Sequence, residues 1–516
     1  MVGARRFELL TPCAQDIGCP HSGINRFNNL RTLLVGPCGN FSYNLDCKAA
    51  IQLVKPPTIP SGSPTGSAVC EIQSTLTRTC CYGRGLCLPS SCEVGPRQDE
   101  PCAGGNRLRC GLLQQGKLNE RRFLFWPQKT MDHSSVRFGQ LSIQGFRRLC
   151  DVRLSLRPLS VMIGANGTGK TSVLDVLSLL ASSAQGRLAS SLSELSGLAN
   201  VLTYDKAEEL GLGITMEVPG YEPLEYWLWL RPQGISHVIR EEQLSQLRKP
   251  HPSPFLHVNS YEQDVKYYDP EKKKLLPPTW EHNPLETSLA QVPKMFQEPE
   301  DFRRRLASST FYHVLNVDPR SPVRLPQAMA PAELPGRNGE DLVSCLFYLR
   351  ETDRNRFEAI EDSLRAAFPR FERLDFPPVA AGTLALAWRE RGFSKPLYMH
   401  QLSEGTLRFL WLTTLLQSPG LTALTLLDEP EVSLHPELLS LLADQLREAS
   451  RRTQIIVATH SDTLIRFLEP AEVVVLDSTE EGMTALTRAD ELDLDEWLKD
   501  YSLDELWRNG RLGARA

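Results

Sequence analysis

Eight residues, GANGTGKT at positions 164–171, constrain this 516-residue chain more than any other stretch. They follow an apolar run, LSVMIG, and open a second one, TSVLDVLSLLASSA, with helical character. The spacing fits G-x-x-x-x-G-K-[ST], a loop that cradles phosphate between a strand and a helix. Gly164 and Gly169 let the backbone bend, so that the N–H groups of Ala165, Asn166, Gly167 and Thr168 face an anion. The helix start at Lys170, Thr171 and Ser172 adds positive potential. Lys170 is expected to reach the β- and γ-phosphates, and Thr171 to offer its hydroxyl to Mg²⁺.

Two further apolar strands end in chemistry. TLLDEPEVSLHPE carries Asp428 and Glu429 at a strand end, just before Pro430 stops the strand. Asp428 is expected to hold Mg²⁺, and Glu429 to orient and deprotonate an attacking water. IIVATHS ends in His460, placed to sit over a γ-phosphate. A second anion-friendly turn, QLSEGT, precedes an apolar helix and carries Ser403, Glu404 and Gly405. It stands more than two hundred residues after Lys170.

Around these motifs the pattern alternates. A helix at 405–416, strand at 422–427, helix at 436–450, strand at 453–459, helix at 461–468 and strand at 472–476 argue for a parallel sheet with helices on its faces. Earlier segments, among them VRFGQLSI, LEYWLWLRP and the stretch around FLHVNSYEQDVKYY, read as strands. Residues 339–368 suggest one or two helices, and LALAWRERGFSKPLYM suggests a hairpin.

The first 130 residues differ from the rest. They hold 11 of the 13 cysteines, and 15 Lys and Arg against 8 Asp and Glu. The remainder carries 42 against 54, a net −12 that gives no general attraction for nucleic acid. A disulfide module lacks a secretion signal to support it. A zinc module could draw on Cys80, Cys81, Cys87 and Cys92, but no paired C-x-x-C spacing appears. GARRFELLTPC resembles the translation of a tRNA gene read antisense, so residues 1–130 are expected to be a disordered or spurious extension, with the natural start at Met131. No run of eighteen apolar residues exists, and a cytoplasmic location is expected.

Taken together, the motifs resemble ABC-type ATPases of the RecF/SMC/OLD group, and within it the RecF-like predicted ATPases with an AAA-type ATP-binding core. QLSEGT is similar to the LSGGQ signature, with Glu404 and Thr406 as departures. DEPEVSLHPE is similar to the Walker B and D-loop segments. The likeness covers about residues 136–516. It implies an α/β P-loop fold of the ABC/RecF head type: a mostly parallel sheet flanked by helices, an antiparallel β-subdomain, and a helical lid or insertion. The implied organisation is an N-terminal ATPase lobe at 131–230, an insertion or lid with a helical subdomain at 231–395, and a C-terminal lobe at 396–516.

The resemblance also implies ATP and Mg²⁺ as ligands and an ATP-dependent homodimer. In it Ser403, Glu404 and Gly405 of one head face the phosphate held in the other, which explains two anion-binding turns so far apart. Arg147, in GFRRL, is implied near the nucleotide. The glutamine of the family's Q-loop is not assigned a position. The family also supplies two processes. One is DNA repair or genome maintenance, with DNA as ligand through the basic runs at 271–274, 303–306 and 447–453. The alternative is the ATPase component of a defence or toxin-like system, partnered with a separately encoded effector or nuclease. No membrane partner is expected.

Overall fold

The computed structural model describes residues 136–513 apart from 249–252, 263, 381 and 495. The expectations for residues 1–130 and for a start at Met131 lie outside the described residues. β1 (Arg137–Phe146) and β2 (Leu149–Ser155) form a hairpin, and β3 (Leu159–Gly164) leads through the glycine loop into α1 (Lys170–Ala184). Two short helices follow, α2 (Leu188–Glu194) and α3 (Leu198–Val201). The chain then meanders through β4 (Leu210–Glu217), β5 (Leu224–Gln233), β6 (Ser236–Gln246), β7 (Phe255–Tyr261), β8 (Asp264–Asp269) and β9 (Lys274–Leu276). These strands join β1 and β2 in one antiparallel sheet of order β2-β1-β4-β5-β6-β7-β8-β9.

The boundary expected at 230 therefore falls inside β5, and β6 to β9 extend the same sheet instead of forming a lid. The physical reason is a buried carboxylate. Glu242 of β6 points into the core, where it accepts the Ser288 N–H at 2.6 Å, the Leu289 N–H at 2.8 Å and the Tyr226 hydroxyl at 2.9 Å. A polar residue satisfied in this way occupies an inward position that strand patterning reserves for an apolar one.

After α4 (Gln297–Ala307), β10 (Thr310–Tyr312) enters the second sheet. β11 (Gln327–Ala328), α5 (Leu342–Thr352) and α6 (Arg354–Ala367) open the helical region, followed by β12 (Phe371–Asp375), β13 (Pro378–Ala380), β14 (Thr383–Leu384), β15 (Ala387–Glu390) and β16 (Leu397–Tyr398). β15 and β16 pair as the hairpin that the sequence suggests. The chain continues through α7 (Glu404–Gln417), β17 (Leu424–Asp428), α8 (Leu438–Ser450), β18 (Gln454–Thr459), α9 (Asp462–Ile465), β19 (Val473–Ser478), β20 (Thr484–Arg488) and α10 (Leu503–Arg508).

The second sheet has the order β10-β17-β18-β3-β19-β20, parallel except for β20. Both of its faces are buried, as a parallel sheet requires. Val161 and Ile163 of β3 and Val457 of β18 face one core, shared with α5 to α8. Met162 and Ile456 face the other, shared with α1 and the antiparallel sheet. Gln454 fastens the two sheets: its side chain accepts the Phe138 N–H at 2.7 Å and donates to the Phe138 carbonyl at 2.8 Å. The strand ends that carry chemistry, after β3, β17 and β18, thus lie side by side along one edge. Among the described residues no helix is long and apolar enough to cross a membrane.

Candidate nucleotide-binding site

The phosphate loop is held from below. Gly169 precedes α1 with φ 102, a left-handed conformation that a side chain resists, and a Cβ there would meet the Thr484 hydroxyl at 2.9 Å. That same hydroxyl donates to the Thr168 carbonyl at 2.8 Å. Thr168 closes the turn by donating its own hydroxyl to the Ala165 carbonyl at 2.9 Å. Asn166, Gly167 and Thr171 are exposed, whereas Gly164 and Ser172 are buried.

Lys170 is only 4% exposed and folds back on the loop, its Nζ donating to the carbonyls of Gly164 at 2.7 Å and Ala165 at 3.0 Å. Burial lowers its pKa to about 8, against the opposing pull of Glu429, Asp428 and Glu431. Those carboxylates stand at the end of β17. Asp428 is pushed up, first by burial and then by the charge of Glu429, while His313 and Lys170 pull it down. Glu429 has a left-handed backbone, φ 46, and its N–H donates to the Ala458 carbonyl at 2.8 Å. Its Oε1 lies 3.5 Å from His460 Nε2, with both side chains half-exposed. The His460 pKa is lowered, first by burial and then by Lys170.

Loop, acidic strand end and histidine therefore lie together. The donors suit a magnesium–nucleotide complex. Thr171 and Asp428 offer hard oxygens. Among the described residues no group of three or more His, Cys, Asp or Glu gathers to hold a metal alone, so the remaining ligands would come from phosphate and water.

Arg147 reaches the start of α1 from the neighbouring strand turn. It sits in the tight turn between β1 and β2 with φ 50, and its Nη1 donates to Asp175 of α1 at 2.6 Å and to Ser172 at 3.2 Å. The neighbouring Arg148 also lies beside the loop: its Nη1 is 3.9 Å from where a Cβ on Gly167 would stand. The positive φ of Arg147 turns successive side chains in ways that strand alternation does not anticipate.

Ser403 caps α7, its hydroxyl accepting the Thr406 N–H at 3.1 Å. Ser403 and Glu404 are exposed. What lies against Gly405 is the turn after β17, where a Cβ would meet the Ser433 carbonyl oxygen at 2.5 Å. Arg408, one helical turn on, clamps this turn by donating to Ser433 Oγ at 2.6 Å and to the Val432 carbonyl at 3.2 Å.

Besides Arg148, three residues of the site escape the sequence reading. Arg408 is one. Glu431 is the second, and its Oε1 accepts the Thr459 hydroxyl at 2.5 Å and the His460 N–H at 3.1 Å. The third is His313. β10 runs parallel to β17 with Tyr312 opposite Leu427, so His313 comes out beside Asp428.

Residues 159–466, more than half of the chain, match the family model described as "AAA domain, putative AbiEii toxin, Type IV TA system". The chain belongs to this AAA family. A comparison with curated proteins finds no match. Similar solved structures include an SMC head bound to the C-winged helix domain of ScpA, at 16% identity and TM-score 0.43, covering 70% of this chain and 99% of that one. Another is the SMC head domain from Thermotoga maritima, at 14% and 0.36, covering 68% of this chain and 98% of that one. A third is the Smc head domain with an extended coiled coil bound to the C-terminal domain of ScpA, derived from Pyrococcus furiosus, at 14% and 0.42, covering 70% and 98%. The AAA family assignment and the site geometry agree on an AAA-type ATPase core built on a P-loop.

Proposed function

We propose that this AAA-family chain binds and hydrolyses ATP, and that ATP joins two copies head to tail as a switch. The observation that carries the reading is the convergence of Lys170, Asp428, Glu429 and His460 on one sheet edge. Lys170, with Arg148 at the loop, binds phosphate. Thr171 and Asp428 hold Mg²⁺, which when bound neutralises phosphate charge. Glu429 accepts a proton from the attacking water, and His460, 3.5 Å away, steadies that carboxylate. Ser403 and Gly405, exposed or half-exposed at the start of α7, are available to a phosphate held by a second copy.

Of the two processes, the ion pairing supports the partnered system. In two of the three basic runs that would attract DNA, at 303–306 and 447–453, the arginines are engaged within the chain. Arg303 pairs with Glu300 and Arg304 with Asp301, both at 2.6 Å. Arg447 pairs with Glu472 at 2.8 Å and Arg451 with Glu448 at 2.9 Å, while Arg452 donates to the Ser418 carbonyl at 2.9 Å. The family description, a putative toxin of a type IV toxin–antitoxin system, points the same way. In this reading the partner is a separately encoded effector.

The test is the ATPase rate of the full chain with and without linear double-stranded DNA at low salt, alongside Glu429→Gln. Turnover that DNA leaves unchanged, and that Glu429→Gln abolishes while accumulating an ATP-bound dimer, is expected. Several-fold stimulation by DNA would restore the repair reading. A Glu429→Gln protein that stays monomeric at saturating ATP would refute the head-to-tail switch.

A further inference from the structure

The turn after β17 touches two parts of the site at once. On one side Glu431 turns its carboxyl onto the end of β18, receiving the Thr459 hydroxyl and the His460 N–H on a single oxygen. The Thr459 hydroxyl in turn accepts the Ser461 N–H at 2.9 Å, so three consecutive residues are tied to this carboxyl directly or through one bond. On the other side, two residues further along, Ser433 supports Gly405 and receives Arg408. Left-handed backbones at Glu429 and Ser433, φ 46 and 62, fold the turn tightly enough for it to face both ways.

Glu431 is also costly to keep. Its Oε2 is buried and has no hydrogen-bond partner. Burial, followed by the nearby charge of Glu429, makes ionisation harder. An uncharged acceptor would satisfy the same two donors without a third carboxyl beside Asp428 and Glu429. A side chain held at such cost between a catalytic histidine and the signature helix is better explained by positioning than by packing.

We propose that Glu431 is a positioning residue for hydrolysis, fixing His460 against Glu429 and tying that posture to the turn on which the signature helix rests. This inference rests on the ATPase reading above. Through Glu431, movement of α7 when a second copy docks on Ser403 and Gly405 is transmitted to His460. Glu431 acts through His460 and Thr459, which it holds.

The experiment compares the full-length wild type with Glu431→Ala and Glu431→Gln. It reads kcat, KM, the affinity for a fluorescent ATP analogue, and hydrogen exchange of the segment 457–462. Glu431→Ala removes the acceptor and is expected to lower kcat roughly tenfold to a hundredfold, the usual effect of losing an outer-shell orienting group, with nucleotide affinity within about twofold of wild type. Exchange in 457–462 rises. Glu431→Gln keeps an oxygen for His460 and Thr459, and is expected to recover kcat to within about threefold. Wild-type kcat in Glu431→Ala overturns the inference, as does a loss of affinity and thermal stability in step with kcat, which would mark a purely structural residue. If the wild type itself shows no turnover, the ATPase reading fails. Exchange then decides on Glu431 alone, and an unprotected His460 segment only in Glu431→Ala would sustain it, whereas unchanged exchange would end it.

Discussion

Gly405→Ala tests how far the two halves of the site depend on each other. The added Cβ would stand 2.5 Å from the Ser433 carbonyl oxygen and 3.6 Å from its carbon. Ordinary contact begins near 3.4 Å, so helix and turn must part by about 1 Å. Both sides are backbone, and no rotamer can absorb the strain. The turn is also tied to α7 by Arg408 at 2.6 Å and 3.2 Å, which resists their parting. Two energies oppose. Alanine is favoured over glycine by up to about 1 kcal/mol within a helix, and less this close to its start. Overpacking costs about 1–3 kcal/mol. The clash wins modestly, and the fold should survive with a net loss of about 1–2 kcal/mol. Function should suffer more, because a displacement of about 1 Å in a positioned group can cost on the order of a hundredfold in rate. We therefore expect kcat to fall roughly a hundredfold. Nucleotide affinity should stay within about twofold, since the loop at 164–171 is held by Thr484 and β3 and not by α7. Phosphate release, binding of a fluorescent ATP analogue and thermal melting give the three numbers. A variant as stable and as active as wild type would refute the argument, because the gap beneath Gly405 would then not constrain the site.

Three other outcomes follow from the geometry. Lys170→Ala should lose ATP binding; and because burial holds the Lys170 pKa near about 8, wild-type affinity should decline above that pH as the cation is lost. Titration calorimetry showing flat affinity from pH 7 to pH 10 would contradict this. Arg148→Ala should weaken nucleotide binding, whereas Arg147→Ala, which breaks the 2.6 Å pair with Asp175, should chiefly lower the melting temperature; the reverse pattern would return the nucleotide role to Arg147. His257 is 4% exposed, and burial, then Arg248, lowers its pKa to about 4. The unfolded chain takes up this proton from about pH 6.5 downward and the folded one does not until about pH 4, so stability should fall across that window by up to about 3 kcal/mol. Urea midpoints for wild type and His257→Gln at pH 7 and pH 4.5 measure it, and an equal acid loss in both would acquit His257.

How much of this was legible in the sequence depended on whether each element reports its own surroundings. The phosphate loop does, because its glycines and lysine lie within eight residues and the flanking β3 and α1 are apolar in their own right. β17 and β18 are also legible, since strands buried on both faces read as continuous apolar runs. Strands β7 and β8 are legible in FLHVNSYEQDVKYY, but their membership with β6 and β9 in the first sheet is hidden: Glu242 and His257 occupy buried positions, and most of what satisfies Glu242 is a loop more than forty residues downstream. His313 is hidden for a related reason. β10 is three residues long, too short for any periodicity, and only its parallel register with β17 sets it beside Asp428. Glu431 was in plain view within DEPEVSLHPE, yet composition cannot distinguish a carboxyl facing solvent from one folded onto the next strand. Turn conformation decides that, through the left-handed Glu429 and Ser433 on either side. Motif residues that touch the phosphates announce themselves by local spacing. Residues that hold those groups in place depend on contacts between distant segments, and such contacts come only with the fold.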